Sequence, residues 1–237
     1  MESDDIRTPG VKVNTFVNPA ALGHALADRV AGLLREAIRD REKASLVVPG
    51  GKTPRPFFRA LHDKKLNWGK VYITLTDERW VATNVSESNE KLVREELLHP
   101  ESHFIGLKNS ALNPEMGKDI CQHALASMPR PFDVVVLGMG KDGHIASLFS
   151  DVAFAKTILS PNHPLSCVAI RSRSAREPRV SLTLSKLLQS RNIFLCVTGA
   201  EKQKVLLDAS EPGEITELPV RGIIHQYKVP VEVFWSP

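Results

Sequence analysis

The sequence predicts an α/β fold: a mostly parallel open sheet with helices on both faces and room for a small subdomain. Three observations predict it. Short β-rich apolar runs alternate with amphipathic stretches along the chain, the pattern that builds parallel sheets covered by helices. The run from Phe132 to Leu137 is nearly all apolar, as expected of a central strand buried on both faces. The 237 residues, 42% hydrophobic and 24% charged, suffice to bury a sizeable core. No repeat, low-complexity tract or clear linker interrupts the alternation, so one domain over 1–237 is expected.

Taken in order, a first strand is expected over Val11 to Phe16. Asn18-Pro19 then offers an N-cap and a first-turn proline for a helix reaching about Arg41. Strand Ser45 to Val48 enters the Gly50-Gly51 turn, and a helix follows from about Pro54 to Leu61. Strand Val71 to Thr76, helices near Asn89 to Leu98 and Met116 to Ser127, and strand Phe132 to Leu137 come next. Ile145 to Phe149 is expected to start a helix, and the Ser-, Pro- and Arg-rich segment Ile158 to Pro178 to hold one short strand, around Val168 to Ile170. Strand Ile193 to Val197, a helix from Lys202 and strand Val231 to Phe234 close the chain.

The net charge of +4 comes from Lys and Arg spread among acidic residues rather than from a basic tail. That balance suits a small anionic substrate better than a nucleic acid. Cys121, Cys167 and Cys196 are too few and too scattered for a disulfide framework or a paired metal motif, which fits a reducing compartment. The opening MESDDIRTPG is acidic where a secretory signal would be basic and then apolar, and no stretch approaches the ~18 apolar residues of a membrane span. A cytoplasmic protein is expected, a monomer or homodimer, without membrane or nucleic-acid partners.

Four polar, glycine-bearing or charged segments each begin where an expected strand ends: Pro49 to Pro54, Thr76 to Arg79, Gly138 to His144, and Thr198 to Lys202. Ligands of open α/β sheets bind at the carboxyl ends of strands, so these segments can converge on one crevice. In Gly50-Gly51-Lys52-Thr53-Pro54 the glycines permit close backbone approach and the helix start attracts an anion, with Lys52 and Thr53 adding a charge and a hydroxyl. An ordinary tight turn is the competing reading, and the spacing is not that of a nucleotide P-loop.

Gly138-Met139-Gly140-Lys141-Asp142-Gly143 satisfies Gly-x-Gly-x-x-Gly after a strand. A dinucleotide fingerprint also needs an acid at the end of the next strand, about 20 residues on. Ser160 to Pro164 supplies neither acid nor strand, so we read the match as coincidental. Asp142 and His144 instead present a carboxylate and an imidazole together, a pair suited to acid/base work near neutral pH; the alternative is a helix cap and a backbone-bonded histidine. Arg79 can grip a phosphate while Asp77 orients a hydroxyl or a catalytic group, against the alternative of a surface salt bridge. Lys202, in a helical first turn, can reach a phosphate or stay solvated, and one arginine among Arg171, Arg173, Arg176 and Arg179 can meet the substrate. His-Glu-x-x-His, Cys-x-x-Cys and Gly-x-Ser-x-Gly are absent, leaving zinc and nucleophile-elbow hydrolysis without support.

These residues resemble the 6-phosphogluconolactonase family, within the larger superfamily that includes glucosamine-6-phosphate deaminase. The resemblance spans most of the chain. It rests on Val48 to Pro54, Thr76 to Val81, Ser88-Asn89, the run Leu137 to Phe149 with its ending Gly-His-Ile-Ala-Ser-Leu-Phe, and Arg179 to Thr183. It implies a modified Rossmann-like sheet and a lactone hydrolase of the pentose phosphate pathway. It further implies that His144 is the general base that activates water, with Asp142 and Asp77 orienting it or the sugar. Gly50, Gly51, Lys52, Thr53, Arg79, Arg179 and Lys202 would hold the 6-phosphate, with no metal and no cofactor. Lys52 stands where the family has serine and Lys141 where it has glutamate; a cation at Lys141 would favour the ionised form of Asp142.

The enzyme rival is an aldose-ketose deaminase on an amino-sugar phosphate, whose pattern continues Gly-His-Ile-Ala-Phe-Asn-Glu; here the glutamate position is Phe149. A non-catalytic sugar-phosphate sensor is a rival of another class. A strand expected by Val11 leaves no room before it for a DNA-reading helix-turn-helix. A nicotinamide-dependent dehydrogenase is the third option, tested by cofactor binding.

Overall fold

The computed structural model describes residues 10–237. The stretch 1–9, which carries most of the expectation about a secretory signal, lies outside the described residues. Ten strands and eight α-helices follow one another as β1 (Val11–Thr15), α1 (Pro19–Arg41), β2 (Ala44–Val48), α2 (Arg55–His62), β3 (Val71–Leu75), β4 (Asp77–Arg79), α3 (Asn89–Glu96), β5 (His103–Ile105), α4 (Pro114–Ala124), β6 (Val134–Gly138), α5 (Ala155–Ile158), β7 (Cys167–Ile170), β8 (Arg179–Leu182), α6 (Leu184–Leu187), β9 (Ile193–Thr198), α7 (Ala200–Ser210), α8 (Arg221–Ile224) and β10 (Val231–Ser236). Among the described residues no helix is long and apolar enough to cross a membrane.

Seven strands form one sheet in the order β1-β10-β9-β6-β2-β3-β5, and every neighbouring pair runs parallel. Every residue of β2 is buried, and β6 and β9 stay buried until their last residue. Successive strand residues point to opposite faces, so both faces of the central strands are covered. The register follows from that burial: a one-residue slip would exchange the faces of every side chain.

The strand order places a crevice. From β2 the chain passes through α2 to β3 on one side, and after β6 it returns to the sheet as β9 on the other. The segments leaving the adjacent β2 and β6 therefore part, which makes this the switch point where ligands of open α/β sheets bind. At Thr76 the chain changes sheets: its N–H donates to Val48 O of β2, and its carbonyl accepts from Leu182 N of β8. The next residues are β4, which joins β8 and β7 in a three-stranded antiparallel sheet. This small sheet is the subdomain, and it carries Asp77, Arg79 and Arg179 toward the crevice.

Local signals set several boundaries. Asn18 Oδ1 accepts from Ala21 N at 2.8 Å, capping α1 as Asn18-Pro19 predicts. Asn113-Pro114 does the same for α4 through Met116 N. Two expectations need correction. Ile145 to Phe149 does not start a helix: Ala146 takes a φ of +50°, and Ser147 N is drawn to Ser181 Oγ at 3.1 Å. Thr76 to Arg79 is not merely a turn, since β4 lies in it. Ile158 to Pro178 holds the one strand expected of it, β7, and β8, which was not expected, follows at Arg179 between β7 and β4.

Lys186, in α6, is 2% exposed, with Nζ donating to Gln189 Oε1 at 3.0 Å. Burial, then the charge of Arg130, pushes its ammonium down from 10.5 to about 8. Between those values the unfolded chain holds the proton more tightly than the folded one, so stability rises with pH through that window. Lys186→Met is expected to stabilise the protein at pH 7 by ~1–3 kcal/mol, a gain that shrinks as pH approaches 10.5. Urea unfolding of both forms at pH 7 and pH 10 checks it; a gain that grows with pH would sink the assignment.

Candidate active site

The segments at the ends of β2, β3, β6 and β9 enclose a cleft of about 220 Å³. Gly50, Gly51, Lys52, Thr53, Asp77, Arg79, His144, Arg179 and Lys202 all line it. Asp142 does not, but it holds His144 from outside the lining. The sequence-expected residues are thus brought together at one place.

The loop after β6 closes on itself. Gly140 N donates to His144 O at 2.9 Å and Gly143 N to Gly140 O at 3.2 Å, while Val220 N donates to Gly143 O at 2.9 Å. No helix opens directly after Gly143, the next being α5 at Ala155, so the glycine spacing serves this turn. His144 Nδ1 lies 2.5 Å from Asp142 Oδ1. An ionised carboxylate only accepts, so the neutral imidazole carries its proton on Nδ1 and its lone pair on Nε2. Burial alone would raise the Asp142 carboxyl, but the hydrogen bond and charge of His144 outweigh it and hold it below the ordinary carboxylate range. The Phe149 ring packs against the imidazole, centroids 4.2 Å apart.

Asp77 is buried and engaged on both oxygens. Oδ1 accepts from Thr76 Oγ1 at 2.8 Å and Oδ2 from Ser147 Oγ at 2.5 Å, with Arg179 Nη1 at 3.6 Å from Oδ2. It is tied to Ser147 and Arg179, and no hydrogen bond joins it to His144. Arg179 lies over the Phe149 ring at 5.4 Å, and burial lowers its pKa, opposed by Asp77 and assisted by Arg79.

Arg79 does not sit in a surface salt bridge. Nη1 donates to Asn89 Oδ1 at 2.5 Å and to Glu87 O at 3.0 Å, both neutral acceptors, and among the described residues no carboxylate forms an ion pair with it. Lys202 is pulled down by burial, with Lys141 pushing the same way against Cys196 and Asp142. Lys141 itself pairs with Glu201 across the rim rather than with Asp142. Four cations, Lys52, Arg79, Arg179 and Lys202, therefore face one cleft in which, among the described residues, Asp77 is the only lining carboxylate.

The residue-level reading missed Asn89, Ser147 and Phe149 as members of the site. Ser88-Asn89 sits at a helix start, where Ser88 Oγ caps α3 by accepting from Lys91 N, so nothing local marks Asn89 as facing the cleft. Ser147 and Phe149 lie in the long run after Gly143, where a helix was expected.

Residues 17–235 match the family model described as glucosamine-6-phosphate isomerases/6-phosphogluconolactonase. A 6-phosphogluconolactonase of Rhizobium meliloti is 39% identical over 228 residues, covering 95% of this chain and 98% of its own. One of Pseudomonas aeruginosa is 33% identical with both chains fully covered. The crystal structure of a 6-phosphogluconolactonase from Shewanella baltica superposes with a TM-score of 0.94 at 42% identity, covering 97% of this chain and 99% of that one. A monomeric glucosamine-6-phosphate deaminase shares the fold at a TM-score of 0.70 and 17% identity. The chain belongs to the glucosamine-6-phosphate isomerase/6-phosphogluconolactonase family.

Proposed function

We propose that the protein hydrolyses 6-phosphoglucono-δ-lactone to 6-phosphogluconate, with His144 as the base. The observation that carries the reading is the Asp142–His144 pair set at the edge of a cleft lined by four cations. The 6-phosphate is held by Lys52, Arg79, Arg179 and Lys202 together with the Gly50 to Thr53 turn, where the start of α2 adds its own positive end. That grip leaves the lactone carbonyl toward His144. Nε2 removes a proton from water as its oxygen bonds to C1, giving a tetrahedral oxyanion. Collapse re-forms the carbonyl and breaks the bond to the ring oxygen, which takes the proton back from Nε2. Asp142 keeps the imidazole in the required tautomer and stabilises its protonated form.

Phe149 favours hydrolysis over deamination. The resemblance places a glutamate there in the deaminases, whereas here an apolar ring packs on the imidazole and under Arg179, so no carboxyl is offered for ring opening. We read the chain as one domain, because only Thr76 separates β3 from β4. A cytoplasmic setting is supported by three cysteines that are buried and unbridged, and a small phosphosugar fits the cleft; a monomer or homodimer acting without nucleic acid is part of the same proposal.

The test is the rate at which purified protein hydrolyses freshly generated 6-phosphoglucono-δ-lactone, with chelator present, against the spontaneous reaction. Turnover far above background is expected. A rate that merely matches background would remove the catalytic assignment.

A further inference from the structure

Glu78 is fully buried beside the cleft without lining it. No cation pairs with it among the described residues; four donors do. Oε1 accepts from the backbone N–H of Arg79 at 2.7 Å and of Asn89 at 2.8 Å. Oε2 accepts from the N–H of Glu90 at 2.7 Å and from Ser88 Oγ at 3.0 Å. Burial raises its pKa against the pull of those four bonds, so its ionised form depends on them. A carboxylate in this position satisfies the first two free N–H groups of α3, and Ser88 takes the third through Lys91.

The consequence is a fixed distance between β4 and the start of α3. Asn89 is the residue so fixed. Its Nδ2 donates to Asp77 O at 2.9 Å, its Oδ1 accepts from Arg79 Nη1, and it lies so close to the Gly50 backbone that a Cβ there would stand 1.8 Å from Oδ1. Arg79 thus has its backbone N–H on Glu78 and its guanidinium on the residue Glu78 anchors. We propose that Glu78 is the positioning residue that aims Arg79 at the anionic end of the substrate. This rests on the phosphate grip described under Proposed function.

Glutamine tests it because it is nearly isosteric yet keeps only one acceptor oxygen. Its NH2 must face at least one N–H donor that cannot reverse, so the start of α3 moves. In Glu78→Gln the Kd for 6-phosphogluconate, measured by calorimetry, and the KM for the lactone are expected to rise on the order of 10- to 100-fold, with the loss falling on these rather than on kcat. The decisive measurement is a double-mutant cycle with Arg79→Met. If Glu78 acts through Arg79, the double variant binds no more weakly than Arg79→Met alone. Additive losses, or an Arg79→Met that binds normally, would overturn the proposal. Should Glu78→Gln fail to fold, Asn89→Ala carries the same cycle, since it removes the guanidinium anchor while leaving all four donors to Glu78. The two readings separate cleanly. Wild-type turnover with an additive cycle sinks the positioning role alone; coupling in Kd without turnover sinks the hydrolase reading alone; absence of binding in the wild type sinks the positioning role too.

Discussion

His144→Ala is expected to lower kcat for lactone hydrolysis by ~10²–10⁴-fold, the range for loss of a general base, while the Kd for 6-phosphogluconate stays within a small factor of wild type. The split follows from where the groups sit. His144 lies on the loop after β6, whereas Arg79 and Arg179 come from the small antiparallel sheet and Lys52 from the turn after β2. Removing the imidazole therefore leaves the anion grip standing. Asp142→Asn should cost nearly as much by a different route. An amide can donate to Nδ1, which would put the imidazole proton on Nε2, where the reacting water needs a lone pair. Because both variants disable one unit, the double variant should be little worse than His144→Ala. Stopped-flow rates with fresh lactone, corrected for spontaneous hydrolysis, check all three. Losses that multiply would show that Asp142 acts elsewhere, and a collapse of 6-phosphogluconate binding in His144→Ala would show that the imidazole holds the ligand instead of activating water.

The parallel sheet was legible because its strands announce themselves. Ala44 to Val48 and Val134 to Leu137 are unbroken buried runs bounded by turns, and Asn18-Pro19 marks a helix start that the structure keeps. The strands that escaped lack that signal. β5 is three residues at the sheet edge, opening on an exposed histidine, and β4 reads Asp-Glu-Arg, as polar as any loop. β8 is four residues beginning with Arg179, and it lies between β7, reached over a Ser- and Arg-rich connection, and β4, about a hundred residues earlier, so no turn signal marks it. The same holds for Ile145 to Phe149, whose apolar pattern suggests a helix. There Ser147 bonds through N–H to Ser181 and through its hydroxyl to Asp77, and these distant partners outweigh local preference. Ala146 at positive φ shows what that costs, roughly 1–2 kcal/mol for a residue with a Cβ.

The candidate site was more legible than the small sheet, since each of its segments begins at a strand end and the fold carries strand ends to one edge. What one dimension could not give is direction. Arg79 was expected either in a salt bridge or on a phosphate, and only the placement of Asn89 and of the Glu87 carbonyl shows its guanidinium on neutral acceptors. Lys141 was expected to bias Asp142, yet it turns away to Glu201, a residue sixty positions later on α7.

Gly140→Ala should then lower kcat by on the order of 10²-fold, the loss that a misplacement of about 1 Å can bring. A Cβ at Gly140 would stand 2.2 Å from His144 Nδ1 and 2.3 Å from Asp142 Oδ1. It enters the gap where those two atoms share a proton, so one side chain must turn away. The loop cannot yield to relieve the contact: Gly140 N holds His144 O, and Val220 N holds Gly143 O. Binding of 6-phosphogluconate should survive, as the cations are on other segments. Gly32→Ala is the matched control, because a Cβ there meets nothing within 4 Å in the middle of α1. It should keep full activity and gain roughly 0.5–1 kcal/mol from better helix propensity. If Gly140→Ala keeps the wild-type rate, Asp142 and His144 do not need their hydrogen bond for turnover, and the pair cannot be the catalytic unit. If it loses rate while folding normally, the glycine is required for the close approach that lets a carboxylate hold the imidazole, which ties one residue without a side chain to the chemistry of two that have one.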